Sequence, residues 1–238
     1  ARLLGIQMEG PFFSEKKKGA QNAAYLREPD FEAFSKLFAA GNGIVRIVDV
    51  APELPGAAEF VRKASKQCTV SIAHTDASYD DAVCAIEAGV THLTHLYNAM
   101  PGIHHRKPGV IPAAVENEQV SAELISDGQH VHPASVRLAF RMFGPARMVL
   151  ISDSLRCCGM PDGEYELGGQ PIEMKGGKAT LRGTDTLAGS SSNLLSELQN
   201  VVAFGLPLED AVTALTLAPA RAVRLDHQIG SLAVGKQA

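Results

Sequence analysis

At residues 69–74 the chain reads Thr-Val-Ser-Ile-Ala-His, a short β-branched run that ends directly on a histidine. The same grammar returns at residues 148–153, Met-Val-Leu-Ile-Ser-Asp, where the run ends on an aspartate. Short apolar runs of this kind read as strands buried on both faces. Further runs lie at residues 3–8, 44–50, 92–96 and 120–125, and helical spacing of apolar residues fills 30–40, 57–66, 79–88 and 133–143 between them. Strand alternating with amphipathic helix implies an α/β fold with parallel strands covered by helices. A doubly wound sheet and a (β/α) barrel both satisfy that alternation.

The residues that end the runs separate the two. Glu9 follows Met8, His74 follows Ala73, His95 lies near the end of its run, and Asp153 follows Ser152. In a parallel barrel the carboxyl ends of all strands open onto one face, so residues far apart in sequence can converge there. That convergence favours the barrel. Two imidazoles and a carboxylate are an ordinary ligand set for a catalytic divalent metal, and a further carboxylate suits a general base. A lone histidine near a strand end is more often structural, and on spacing alone the two readings stand level.

After residue 152 the texture changes. Residues 165–181 (YELGGQPIEMKGGKATL) set Gly-Gly turns between short alternating runs, which predicts a β-hairpin insert at about 163–182. Two helices are expected at 192–203 and 208–217, the second entered through Pro207. The tail, IGSLAVGKQA, reads as a turn leading into a further strand. The expected division is a barrel over residues 1–225 and the start of a small β-sandwich over 226–238.

Composition narrows the class. With 238 residues, 45% of them apolar, a single domain can bury a large core. A net charge of −4, 20% charged residues and no Trp leave no basic stripe for nucleic acid. No apolar run approaches the roughly 20 residues that cross a bilayer, and the start reads as a strand rather than a signal peptide. Cys68, Cys84, Cys157 and Cys158 form no CxxC pair, which reads as reduced thiols packed in a cytoplasmic protein.

The words around the strand-end residues are specific. They are MEGPFF at 8–13 followed by KKKGA, THLTHLYNAMPG at 91–102 followed by RKPG, ISDGQHVHP at 125–133, ISDS at 151–154, GTDTLAGSSSN at 183–193, and PARAV at 219–223. In this order, almost from end to end, they resemble the N-acetylglucosamine-6-phosphate deacetylases of the amidohydrolase superfamily. The resemblance implies a distorted (β/α)8 TIM barrel of the metal-dependent hydrolase type with a small β-sandwich. It also implies hydrolysis of an acetamide on a phosphosugar. About six of the eight strands are found, the first two (with an HxH pair) being expected before residue 1.

Carried over by position, Glu9, His74 and His95 match the metal ligands and Asp153 the catalytic acid/base. Ala20, Gln21, Asn98, Ala99, Leu187, Ala188 and Gly189 match substrate contacts, as do Asp127, Gly128, Gln129 and His130. Arg106 and His130 match the phosphate grip, the arginine reaching a neighbouring subunit of a homodimer. A planar guanidinium holds a phosphate dianion in two places, where a lysine is a point charge. Gln21 stands where some members carry a histidine; it can donate a hydrogen bond but cannot carry a proton. One divalent ion is expected, zinc foremost, with iron or another first-row ion open.

Alternatives are the galactosamine epimer or another cyclic amide as substrate, and a non-catalytic phosphosugar-binding fragment. Lys16 to Lys18 read as a solvated turn, with Gly19 and Ala20 letting backbone approach a sugar. His104 and His105 read as loop residues, because adjacent side chains diverge, and His92, at odd spacing from His95, as packing. Cys157 and Cys158 read as packing near the mouth.

Overall fold

The computed structural model describes residues 3–237; the expectations that extend to Ala1, Arg2 and Ala238 lie outside the described residues. Six strands form one sheet: β1 (Ile6–Phe12), β2 (Val45–Val50), β3 (Thr69–Ile72), β4 (His92–Leu93), β5 (Ser121–Ile125) and β6 (Met148–Ile151). They lie in sequence order, every neighbour parallel. The helices are α1 (Phe31–Ala40), α2 (Ala57–Ala64), α3 (Tyr79–Ala88), α4 (Val110–Glu116), α5 (Pro133–Phe143), α6 (Leu194–Ala203), α7 (Leu208–Leu215) and α8 (Leu217–Ala222). The barrel is open, with β1 and β6 at its edges. Even so, the sheet curls enough for Gln7 of β1, Glu123 of β5 and Ile151 of β6 to line one cavity of 440 Å³.

The strands carry different chemistry on their two faces. Val48, Val50, Val70, Ile72, Leu93, Leu124 and Leu150 pack with Phe34, Phe60, Val136 and Phe140 of the helices into one core. Phe34 meets Phe60 edge-on at 5.5 Å between centroids, and burying each such ring stabilises by about 1.5–3 kcal/mol. On the opposite face of the same strands stand Asp49, Ser71, His92, Thr94 and Glu123, all buried. A buried polar group must find partners or cost free energy. Here Thr94 donates to Asp49 at 3.1 Å and accepts from the Ser71 hydroxyl at 2.7 Å, and Gln7 Nε2 donates to Asp49 Oδ2 at 3.2 Å.

The boundaries differ from expectation in instructive ways. β1 begins at Ile6 rather than residue 3, with Leu3 75% exposed, and runs past Glu9 to Phe12. Its register against β2 shifts between Met8 and Phe12, an irregularity of the sort that re-aims a side chain near a site. β4 keeps only two residues because the chain turns left-handed at His95, φ 34°. The sequence did not suggest α4 and α8: each is short and holds a proline, Pro112 or Pro219, in its first turn, where the missing N–H has no helical partner to lose.

The insert is antiparallel, with three strands rather than two: β7 (Gly163–Leu167), β8 (Gln170–Lys175) and β9 (Lys178–Leu181). Each Gly-Gly pair supplies two successive positive φ angles, 56° and 80° at Gly168 and Gly169, 57° and 79° at Gly176 and Gly177. Such pairs make tight hairpin turns, and two of them return the chain twice. Residues 226–237 form turns and bends with no strand.

Candidate metal centre

Glu9, His74, His95 and Asp153 reach one cavity of 380 Å³ beyond the strand ends. Among described residues, seven non-glycine residues have positive φ, and five belong here: His74, His95, Tyr97, Ala99 and Asp153. Each such conformation costs of order 1–3 kcal/mol and persists only when neighbours over-determine it. The neighbours do so through backbone bonds. Ser14 N–H donates to His74 O at 3.0 Å, Thr75 N–H to Ala99 O at 3.0 Å, Leu96 N–H to Glu123 O at 2.8 Å, and Ser190 N–H to Asp153 O at 2.8 Å.

The ligand atoms face one another. Glu9 Oε1 lies 3.0 Å from His74 Nε2 and 3.4 Å from His95 Nε2, and the two Nε2 atoms are 3.1 Å apart. His74 Nδ1 sits 2.9 Å from the Lys17 carbonyl, which can only accept, so Nδ1 carries the hydrogen and Nε2 presents a lone pair. Phe13 stacks on the same ring at 4.4 Å. Two imidazole nitrogens and a carboxylate oxygen thus face a common centre, a donor set that could hold a divalent cation.

The electrostatics agree. Burial works to raise the Glu9 carboxyl, but its bonds to His74 and His95 outweigh burial and hold it below the usual carboxylate range. Burial works to lower His95, but the bond and charge of Glu9 outweigh it and raise the ring to about 9. Both shifts describe a field that favours positive charge. Asp153 is half-buried, and burial followed by the Glu9 charge raises it to about 6.

The other sequence-predicted residues divide. Ala20, Gln21, Asn98, Ala99, His130, Leu187, Ala188 and Gly189 line the cavity. Asp127, Gly128, Gln129 and Arg106 do not. Asp127 instead fixes His130: Oδ2 is 2.7 Å from its Nδ1, and Oδ1 accepts its amide at 2.9 Å. Burial raises Asp127, but the His130 bonds outweigh it and lower the carboxyl. Gly128 supplies the positive φ of that turn, and Gln129 Nε2 donates to Gly177 O at 3.0 Å, tying the turn to the insert. Arg106 is exposed in the segment 101–109, beside the exposed pair His104 and His105, whose rings do not diverge as expected but lie 4.4 Å apart at a 35° tilt.

Sequence reasoning missed several contributors. Lys16 and Lys17 line the cavity rather than a purely solvated turn, with Lys16 Nζ 3.3 Å from Asp76 Oδ2. Glu197 is fully buried and accepts from the amide and hydroxyl of Ser126 at 2.5 and 2.6 Å, which anchors the start of the 126–130 turn. Nothing in the local pattern marks a glutamate on α6 as buried. His92 is packed as read, but in a polar setting: Nε2 lies 3.0 Å from Glu123 Oε1 and Nδ1 2.6 Å from Ser121 Oγ. Cys157 is buried, and Cys158 Sγ faces the Ser191 and Ser192 carbonyls.

The chain matches the amidohydrolase family over residues 1–238. It is 39% identical over 240 residues to the N-acetylglucosamine-6-phosphate deacetylase of Bacillus subtilis, covering 100% of this chain and 60% of the relative. It is 36% identical over 240 residues to the N-acetylgalactosamine-6-phosphate deacetylase of Escherichia coli O157:H7, covering 100% of this chain and 63% of the relative. A Mycobacterium smegmatis N-acetylglucosamine-6-phosphate deacetylase, solved in complex with N-acetylglucosamine 6-phosphate, superposes with a TM-score of 0.93 at 39% identity, over 98% of this chain and 62% of that one. The chain therefore spans about three fifths of the length of these relatives. Matched along its whole length, it belongs to the amidohydrolase family.

Proposed function

We propose that this chain carries the catalytic core of a metal-dependent deacetylase, hydrolysing the acetamide of N-acetylglucosamine 6-phosphate to glucosamine 6-phosphate and acetate. The observation that carries the reading is the meeting of three potential ligand atoms with a separate raised carboxyl, Asp153, on one cavity. Relatives at 38% and 39% identity that bear this activity's name supply the substrate class.

Glu9, His74 and His95 would hold one divalent ion, zinc foremost. A bound ion of that kind acidifies water and polarises an acyl oxygen. Asp153, ionised above about pH 6, takes the water's proton and returns it to the leaving amine. Such proton transfer contributes typically ~10²–10⁴-fold. Asn98, Gln21 and the backbone of residues 187–189 orient the sugar, and His130, held by Asp127, meets the phosphate. Arg106 completes that grip across a homodimer, which suits its exposure outside the lining of its own cavity.

On this reading residues 1–225 are the barrel portion, the insert at about 163–182 walls its mouth, and 226–238 open the small sandwich. Four unpaired cysteines accord with a reducing, cytoplasmic setting. Among described residues no helix is long and apolar enough to cross a membrane.

Acetate release measured from both epimeric 6-phosphosugars, with zinc, with chelator and for Asp153→Asn, tests the reading. Metal-dependent release lost in the variant supports it. Preference for the galactosamine substrate would reassign the epimer, and binding of phosphosugar without turnover would reduce the chain to a binding core.

A further inference from the structure

The two histidines of the metal centre are held by different devices. His74 is oriented through its ring, with Nδ1 on the Lys17 carbonyl and Phe13 stacked on its face. His95 Nδ1, although buried, has no hydrogen-bond partner. Metal-bound imidazoles are ordinarily oriented by a partner on the second nitrogen, so something else must fix His95.

Its backbone is where the contacts are. The His95 amide donates to Glu123 Oε2 at 3.3 Å, and the next amide, Leu96, donates to the Glu123 carbonyl at 2.8 Å. Glu123 therefore grips the left-handed turn at φ 34° from side chain and main chain together. The glutamate is itself fixed. Its Oε1 lies 3.0 Å from His92 Nε2, whose other nitrogen lies 2.6 Å from Ser121 Oγ. Glu123 and His92 are 2% and 0% exposed. Among the described residues no Lys or Arg reaches this pair within salt-bridge distance.

We infer that Glu123, backed by His92 and Ser121, is a positioning residue that holds the backbone turn of the metal ligand His95. A packing pair would need no acceptor aimed at a strained ligand's amide. The inference rests on the metal reading above and adds residues to it. Glu123 touches neither metal nor substrate; it acts through His95, and its loss should appear first in how the centre binds an ion.

The test measures zinc affinity of the metal-free full chain by competition with a chromophoric chelator, together with the visible absorption of the cobalt(II)-loaded protein. Three variants are compared: Glu123→Gln, Glu123→Asp and the double variant His92→Phe with Glu123→Leu. The double variant removes both members of the buried pair, so no unpaired charge is left. Outer-shell changes typically weaken metal binding by about 10–100-fold. That loss, with an altered cobalt spectrum, is expected for the folded double variant and for Glu123→Asp, which is too short to reach both partners. Glu123→Gln keeps an acceptor for the amide and is expected within about threefold of the native chain. Native affinity and an unchanged cobalt spectrum in a folded double variant would overturn the inference. If that variant does not fold, the same result in Glu123→Asp overturns it. Failure of the native chain to bind zinc at all would instead overturn the metal reading beneath it.

Discussion

Asp49 offers a test of the buried polar face that needs no bound ion. The carboxyl is 0% exposed and meets only neutral donors, Gln7 Nε2 and Thr94 Oγ1. Burial, followed by the charges of Glu123 and Glu9, raises it well above the usual carboxylate range. The folded chain therefore keeps this proton to higher pH than the unfolded chain, which releases it near 3.9. Where the folded state binds more protons, stability falls as pH rises. The contribution is intact below pH ~4 and is lost progressively from there up to the raised folded value.

Asp49→Asn keeps the shape and the acceptor for Thr94 but cannot ionise. The scale of the difference is the cost of an uncompensated buried polar group, about 1–3 kcal/mol in protein mutational data. For a chain of this size that is roughly 2–4 °C in Tm per kcal/mol. Urea unfolding at pH 4, 6 and 8 in the presence of chelator reads it directly. The two chains should be closely matched at pH 4, and the variant should gain by about 1–3 kcal/mol at pH 8. Parallel pH curves, or a variant that loses ground as pH rises, would refute the assignment of Asp49 as a carboxyl strained by burial.

Asp153→Asn should lower acetate release by about 10²–10⁴-fold with little change in zinc affinity, since a proton carrier rather than a ligand is lost. In the native chain the raised value of about 6 places the acid limb there, so turnover should fall about tenfold for each unit below it; bound zinc, favouring the carboxylate, would move that limb to more acid pH, never higher. Free zinc at 100 times its Kd should stabilise the folded chain by about 2.7 kcal/mol, some 5–11 °C in Tm by scanning calorimetry, and Glu9→Gln should abolish most of that gain. Gly189→Ala sets a Cβ 3.0 Å from Leu155 Cδ2 and 3.1 Å from the Asp153 carbonyl at φ 106°. It should cost about 1–3 kcal/mol in unfolding free energy and lower turnover further by shifting Asp153.

The strand-end residues were legible because each closes an apolar run with a polar side chain, and a parallel sheet sends all such ends one way. Glu9 shows the limit of that rule: it lies inside β1, and a register shift, rather than the end of a strand, turns it toward the histidines. Asp49, Ser71 and Glu123 were hidden by their neighbours. Val-Asp-Val, Val-Ser-Ile and Ala-Glu-Leu each read as a strand with one polar interruption. Alternation of period two marks two faces but does not say that both are buried. That depends on the curl of the sheet, which brings β1 and β6 around a common cavity, a long-range property that no single run encodes. Glu197 was hidden for the related reason that a glutamate at helical spacing on α6 reads as solvated until its partner Ser126, just past β5, is known to sit across from it. The residues proposed to perform the chemistry therefore announced themselves by position along the chain, while those that hold them, Glu123 behind His95 and Glu197 behind the 126–130 turn, became visible only once the strands were side by side.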